Sequence, residues 1–479
     1  MIVSNAAADR TAEPVGVQRT ADERIPASAW FGLAVMIIVS IYAIVDRQIF
    51  ILFAEAIRRD MGLSDTQLGM LQGLGLSLIG LLTVYPISAL ADRYDRRWVI
   101  AICVLLWSVA VAGCGLAPSF VPLLTFAALV GVGEAGTGPA ALAMLPDLFP
   151  ASARQLANSI FVIASRLSQS IGVWLAGMLI VLVEWVRPSL PLAIARMPEW
   201  RLCFFAAIAF SPVAVALILM LPRRTAGLRL AAKRPGSLGA AAPAPQFWRY
   251  VAAHRGPFAG VVGATLCNQF GLIATAGWIP IIAQRYFGQT PQQSGEWLAS
   301  MALVTAGLGF AIGTALLPWF RARSQRWSDV LALAWVMFLA ALTSAFIAFA
   351  QSVAQLYILW GLQAIVLTVG TMILPTMLQN MTPVPMRARV FALYIFSQIS
   401  AALGYVVVGA LSDALRGVER GLLYAAVSVA IVFLVLSGII FWRTSRGYVA
   451  LVEEVREAEL GSGSSLAEPN GAQGSAIAG

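Results

Sequence analysis

Apolar runs of membrane length fill most of this chain. Twelve of them lie near 30–57, 68–90, 98–117, 120–145, 156–183, 201–222, 257–284, 295–319, 328–350, 353–379, 390–413 and 420–442. About 20 apolar residues make a helix about 30 Å long, the thickness of a bilayer's hydrocarbon core. Within lipid such a segment must satisfy its own backbone, and a helix does so without a partner. Only 11% of the 479 residues are charged, against roughly 25% in ordinary soluble domains. The sequence therefore predicts an all-α membrane protein with twelve transmembrane helices.

The net charge of +9 does not indicate nucleic acid, because the basic residues are distributed by loop and not gathered on one domain. Alternate loops hold Arg93, Arg96, Arg97, Arg154, the cluster Arg223/Arg224/Arg229/Lys233/Arg234, Arg321, Arg323, Arg326, Arg387 and Arg389. The other loops are sparser, and their arginines sit among acids, as in "RRDMGLSD" and "RGVER". The positive-inside rule then places both termini in the cytoplasm, in keeping with an even number of spans in the cell (inner) membrane. The first 27 residues are polar with no apolar core, so the first apolar run is expected to be retained as a span. Cys103, Cys114, Cys203 and Cys267 all fall within apolar runs, and His254 is the single histidine. Neither a disulfide framework nor a metal site is expected, and no cofactor is implied beyond a proton as coupling ion.

Between "LPRR" at 221–224 and "PFAG" at 257 the chain turns basic and rich in Ala, Gly and Pro, the composition of a linker. It divides the molecule into a cytoplasmic tail at 1–27, six spans at 28–222, a cytoplasmic linker at 223–255, six spans at 256–443 and a tail at 444–479. The last tail begins as a short acidic helix and ends in a Gly- and Ser-rich stretch expected to be disordered. Two six-span bundles are the plan of transporters that rock about a site at the membrane midplane. Glycine runs such as "GLGLSLIG" lie inside apolar spans and lack the Lys-Ser/Thr ending of a phosphate loop, so they read as close helix packing, with Pro86, Pro139 and Pro146 supplying bends.

After span two comes "SALADRYDRRW", residues 88–98. Arg93, Arg96 and Arg97 could reach carboxylates at neighbouring helix ends, with Asp92 countering charge nearby, and form a cytoplasmic latch; equally, the loop could be a plain basic turn. The stretch resembles the loop motif after span two in the major facilitator superfamily through Asp92, Arg93, Arg96 and Arg97, with Ser88 and Asp95 standing where glycines are usual. The resemblance covers 28–443 and implies the major facilitator fold. "IVDRQIF" in span one, "LVGVGEAGTGPAALAMLPDLFP" in span four and "RQLANSIFVIASRLSQSIG" in span five look like the spinster-type branch, associated with sphingolipid and lysophospholipid export.

Charge inside the bilayer is costly, at least about 2.5 kcal/mol per residue at a helix centre, and marks function. Asp46, Arg47, Glu134 and Arg166 all fall within a turn or two of the midplane. The resemblance puts spans one and four around a central cavity with span five beside them, so these four groups would share one polar pocket. Arg47 and Arg166 keep their charge and can grip an anionic substrate, while Asp46 and Glu134 can exchange protons. Because Asp46 and Arg47 are adjacent, their side chains diverge by roughly 100°, and one of them could instead pair with a neighbouring helix. Asn268 and Gln269 in span seven are candidate substrate contacts. Gln363 and Gln398 read more readily as interhelical hydrogen bonds. The second half carries no midplane charge, which suits an amphipathic ligand with an anionic head near Arg47 or Arg166.

The expected function is secondary active transport of a lysophospholipid or sphingoid lipid, probed against two alternatives: a proton-coupled symporter of small organic anions, and an uncoupled scramblase or channel. No nucleophile sits beside a plausible base, so an enzyme is not expected. Expected partners are the lipid-like or organic anionic substrate and membrane lipids, with the protein a monomer.

Overall fold

Each apolar run is helical where the computed structural model describes it, over residues 25–137, 144–145, 148–150, 152–221, 244–323 and 329–464. Among those residues ten helices are long and apolar enough to cross a membrane, and two shorter apolar helices, Phe120–Ala135 and Ile399–Ala414, stand where spans four and eleven are predicted. Span one is Ala27–Leu52, span two Asp65–Ala91, span three Arg96–Leu116, span five Arg154–Val186 and span six Glu199–Leu219. Spans seven to ten are Arg255–Phe287, Pro291–Leu316, Asp329–Ile347 and Val353–Asn380, and span twelve opens at Gly421.

Local chemistry places the ends. Span two begins with a capping box: the Ser64 hydroxyl accepts from the Gln67 amide, and the Gln67 side chain accepts from the Ser64 amide. Asp95 and Ser352 cap spans three and ten in the same manner from one side. Gly62 and Gly288 end the helices before them in the left-handed conformation at φ of 63° and 67°, which glycine adopts without steric cost.

Two sets of helices result. Span one packs on spans five and six, span three on four and six, and span two on four; span seven packs on eleven and twelve, nine on ten and twelve, and eight on ten. The sets meet where span two touches span eleven, span five touches span eight, and span one touches the last turns of span seven.

Some boundaries differ from the sequence reading. The linker is not wholly irregular: Ala244–Ala253 is a helix, where "PQFWRYVAA" buries Phe247 and leaves Trp248 exposed. The acidic helix predicted after span twelve is continuous with it, forming one 44-residue helix, Gly421–Ser464, about 66 Å long. Its C-terminal portion buries Tyr448, Leu451 and Val455, so apolar residues at helical spacing continue the packed face beyond the predicted span. Residues 1–24, most of the linker and 465–479, and with them the expected disorder of the tail, lie outside the described residues, as do Pro139 and Pro146.

Candidate functional site

The two helix sets seal against each other at one end and part at the other. At Gly69 and Gly73 of span two an added Cβ would lie 2.4 Å and 2.1 Å from the carbonyl oxygens of Tyr405 and Ala402 in span eleven. Only glycine lets the two backbones meet this closely. Further along span two, and just before span eleven, Leu82, Tyr85 and Phe396 are 57%, 83% and 62% exposed. Between seal and opening lies a cavity of about 610 Å³, formed by spans one, two, four, five, seven and eleven.

Arg47, Ser77 and Glu134 form its polar pole. Arg47 Nη2 donates to Ser77 Oγ at 2.8 Å, and Arg47 Nη1 lies 4.0 Å from Glu134 Oε2. The arginine side chain is 43% exposed to the cavity and the glutamate 12%. Among the described residues Glu134 Oε1 is buried without a hydrogen-bond partner. A loosely held guanidinium beside an incompletely satisfied carboxylate can accept an anion and release the carboxylate to take a proton. Among the described residues the wall from the second set is Ile273, Gln398, Ala401 and Tyr405, without a charge.

Asp46 is a correction to the single-pocket expectation. It is completely buried and does not line the cavity. Its carboxylate points into the first helix set, within electrostatic reach of Glu134, and neither oxygen accepts a well-formed hydrogen bond although the Trp107 indole stands beside it. One turn earlier Tyr42 donates to or accepts from Ser211 Oγ at 2.7 Å and faces Ser108 Oγ at 3.5 Å, so this face of span one is a buried polar strip. The divergence of adjacent helical side chains decides which of Asp46 and Arg47 meets the cavity.

The remaining candidates scatter. The Arg166 side chain lies outside the described residues, although its helix borders the cavity through Phe161, Ser165 and Gln169. Gln269 donates to Gln398, tying span seven to span eleven beside the cavity. Asn268, its neighbour, does not line the cavity, and is displaced from it by the same helical rotation. Gln363 holds spans nine and seven, donating to Ser344 Oγ at 2.7 Å and accepting from Thr275 Oγ1 at 3.0 Å.

In the basic loop after span two, Arg97 is held within its own helix set. Arg97 is paired with Asp95 at 2.8 Å and donates to the Leu221 carbonyl at 2.8 Å, so it fastens the start of span three to the end of span six. Asp95, the residue in place of a customary glycine, is what Arg97 finds first. Arg93 is exposed, Arg96 has a partner, and the Asp92 side chain lies outside the described residues.

An inter-set latch exists at the opposite, sealed end, where the sequence reading did not place one. Arg285 of span seven donates to Glu55 Oε2 at 2.8 Å and to Asp65 at 2.7 and 2.8 Å. Arg58 and Arg59 also bind Glu55, each at 2.9 Å. Burial pushes the Glu55 carboxyl up, but the Arg58 and Arg285 guanidinium groups outweigh it and hold the carboxyl below its ordinary value. From span eleven, Asp413 accepts from the Asp65 and Thr66 amides at 3.1 and 2.8 Å, capping span two across the seam, and Ser412 donates to Asp65 at 2.7 Å. The signal was present in sequence: Glu55 is the one other charge in 30–57, and the arginines of "RRDMGLSD" sit among acids.

Residues 35–328 match the Major Facilitator Superfamily. The chain belongs to this superfamily. It is 25% identical over 450 residues to an MFS-type efflux pump of Mycolicibacterium smegmatis, covering 91% of this chain and 97% of that one. It is 30% identical over 146 residues to Protein spinster of Drosophila melanogaster, a stretch that spans 24% of the fly protein. A crystal structure of a bacterial homologue of the human lysosomal transporter Spinster, in an inward-facing and unoccupied conformation, superposes with a TM-score of 0.74 at 22% identity, covering 88% of this chain and 98% of that one. That likeness fixes the fold, and the spinster-type resemblance of the motifs in spans one, four and five finds its counterpart among these relatives. The chain is therefore a multi-pass membrane transporter of the major facilitator fold.

Proposed function

We propose that this transporter moves an amphipathic anion, of the lysophospholipid or sphingoid-lipid class, by alternating access in exchange for or together with protons. The observation that carries the reading is the Arg47 guanidinium, shared between Ser77 and Glu134 in a cavity whose opposite wall carries no charge. An anionic head that captures Arg47 removes the cation facing Glu134, and a proton on Glu134 then restores neutrality in a poorly solvated site. Arg47 keeps its charge throughout and serves as the anchor. The apolar tail lies along Ile273, Ala401 and the opening beyond them. Asp46, buried behind the cavity and coupled electrostatically to Glu134, is a second proton station.

The orientation belongs to the same proposal: both termini and the cavity mouth face the cytoplasm across the inner membrane, with a monomer as the working unit. The test is uphill transport in liposomes. An imposed pH gradient drives accumulation of a lysophospholipid or sphingoid lipid if the reading holds. Equilibration without accumulation makes the protein a scramblase, and accumulation of short organic acids alone makes it a small-anion symporter.

A further inference from the structure

Span two is not an α-helix through its middle. Leu71–Ile79 is a nine-residue π-helix set between Asp65–Met70 and Gly80–Arg93. Such segments carry i to i+5 hydrogen bonds, are rarely longer than a single turn, and are frequent at functional sites. This one lies between the two helix sets. Its Gly73 meets span eleven of the second set, whereas its Gly75 meets Ala127 and Leu124 of span four in the first.

Two features tie the segment to the cavity. The Ser77 hydroxyl accepts from Arg47 Nη2 at 2.8 Å and donates to the Gln72 carbonyl, five residues back, at 3.0 Å. The Gln72 amide is 3% exposed, and neither its oxygen nor its nitrogen has a hydrogen-bond partner among the described residues. A buried primary amide without partners is costly. It is tolerated in this geometry and calls for another in which it is satisfied.

We propose that Ser77 is a positioning residue that couples occupancy of Arg47 to the register of span two. With the cavity empty, Arg47 holds the Ser77 hydroxyl on the Gln72 carbonyl and fixes the π turn. When an anion takes Arg47, the hydroxyl is released, the segment can return to α spacing, and the resulting rotation of Gly80–Arg93 relative to Asp65–Met70 carries Gln72 out of its unpaired site. The rotation pivots where span two leaves span eleven, so the event at the cavity is transmitted to the seam. This inference rests on the reading of Arg47 as the anion anchor.

Hydrogen exchange of the peptide covering 71–79, measured in nanodiscs without any ligand, tests the coupling independently of substrate identity. Arg47→Ala and Ser77→Ala each free the segment to take α spacing, so exchange there is expected to slow about tenfold as the i to i+4 ladder forms. The double variant should be no slower than either single one, and Ser77→Thr, which keeps the hydroxyl, should keep the wild-type rate. Wild-type or faster exchange in Arg47→Ala would show that Ser77 serves only its own helix and would overturn the proposal. Additive slowing in the double variant would overturn it as well. Failure of every lipid and organic anion to be transported would refute the functional reading while leaving the exchange result to decide the coupling.

Discussion

Arg285→Gln is the most informative perturbation of the sealed end. The guanidinium is 16% exposed and faces two carboxylates that are 3% and 9% exposed. Removing one partner of a buried ion pair costs about 3–5 kcal/mol, because the other charge is left uncompensated. Arg58, still bonded to Glu55 and 3.8 Å from Asp65, offsets part of that, which sets the expectation near the lower limit, about 3 kcal/mol. The cost falls on the sealed state alone, since separation of the helix sets returns Glu55 and Asp65 to water. At 1.36 kcal/mol per decade this shifts the ratio of sealed to parted molecules by about a hundredfold. Spin labels at Ser189 and Val418, on opposite helix sets at this end, report the shift by double electron–electron resonance in a background lacking the four cysteines. Wild-type protein should give a single short distance and Arg285→Gln a predominant longer one. An unchanged distribution would mean that glycine packing alone holds the seam, and the electrostatic reasoning would be wrong.

Three further outcomes follow from the same geometry. Gly73→Val places carbon where the Ala402 carbonyl now lies, so it should part the same labels and slow transport without lowering expression. Because Glu55 is held below its ordinary carboxyl value, the latch keeps its charge through neutral pH and loses its contribution only as pH falls below the usual glutamate value of about 4.3; the label distance should be flat from pH 8 to pH 5 and lengthen below that range, and lengthening already near pH 6 would contradict it. Arg97→Leu strands the Leu221 carbonyl and Asp95, at a cost of about 1.5–3 kcal/mol, and should lower the melting temperature while leaving the sealed-end distance unchanged.

The fold was legible because the bilayer imposes a length and a polarity that the sequence must display. The membrane-spanning helical fold and the superfamily both followed from apolar runs and the Asp92–Arg97 loop. What was not legible depended on rotation about helix axes and on register between distant helices. Asp46 and Arg47 were both visible as buried charge, but only the structure shows that Arg47 meets the cavity and Asp46 the interior. Ser77, a small hydroxyl among apolar residues, carries no signal until Arg47 is seen beside it. The sealed-end latch joins residues 230 positions apart in Arg285 and Glu55 and 348 apart in Asp65 and Asp413, a pairing no local pattern specifies. The sequence leaves Arg97 open between a carboxylate at a neighbouring helix end and a plain basic turn; in the structure Asp95, two residues away, and the end of span six satisfy it.

The central claim is that an anion binding Arg47 drives a proton onto Glu134 in the same cavity. Proteoliposomes loaded with a pH-sensitive dye, given lysophospholipid in the absence of any other gradient, measure it directly. The account predicts a lipid-evoked proton signal in the wild type, its loss in Glu134→Gln with lipid binding retained, and loss of both signal and binding in Arg47→Ala. A wild-type-sized proton signal in Glu134→Gln would contradict it.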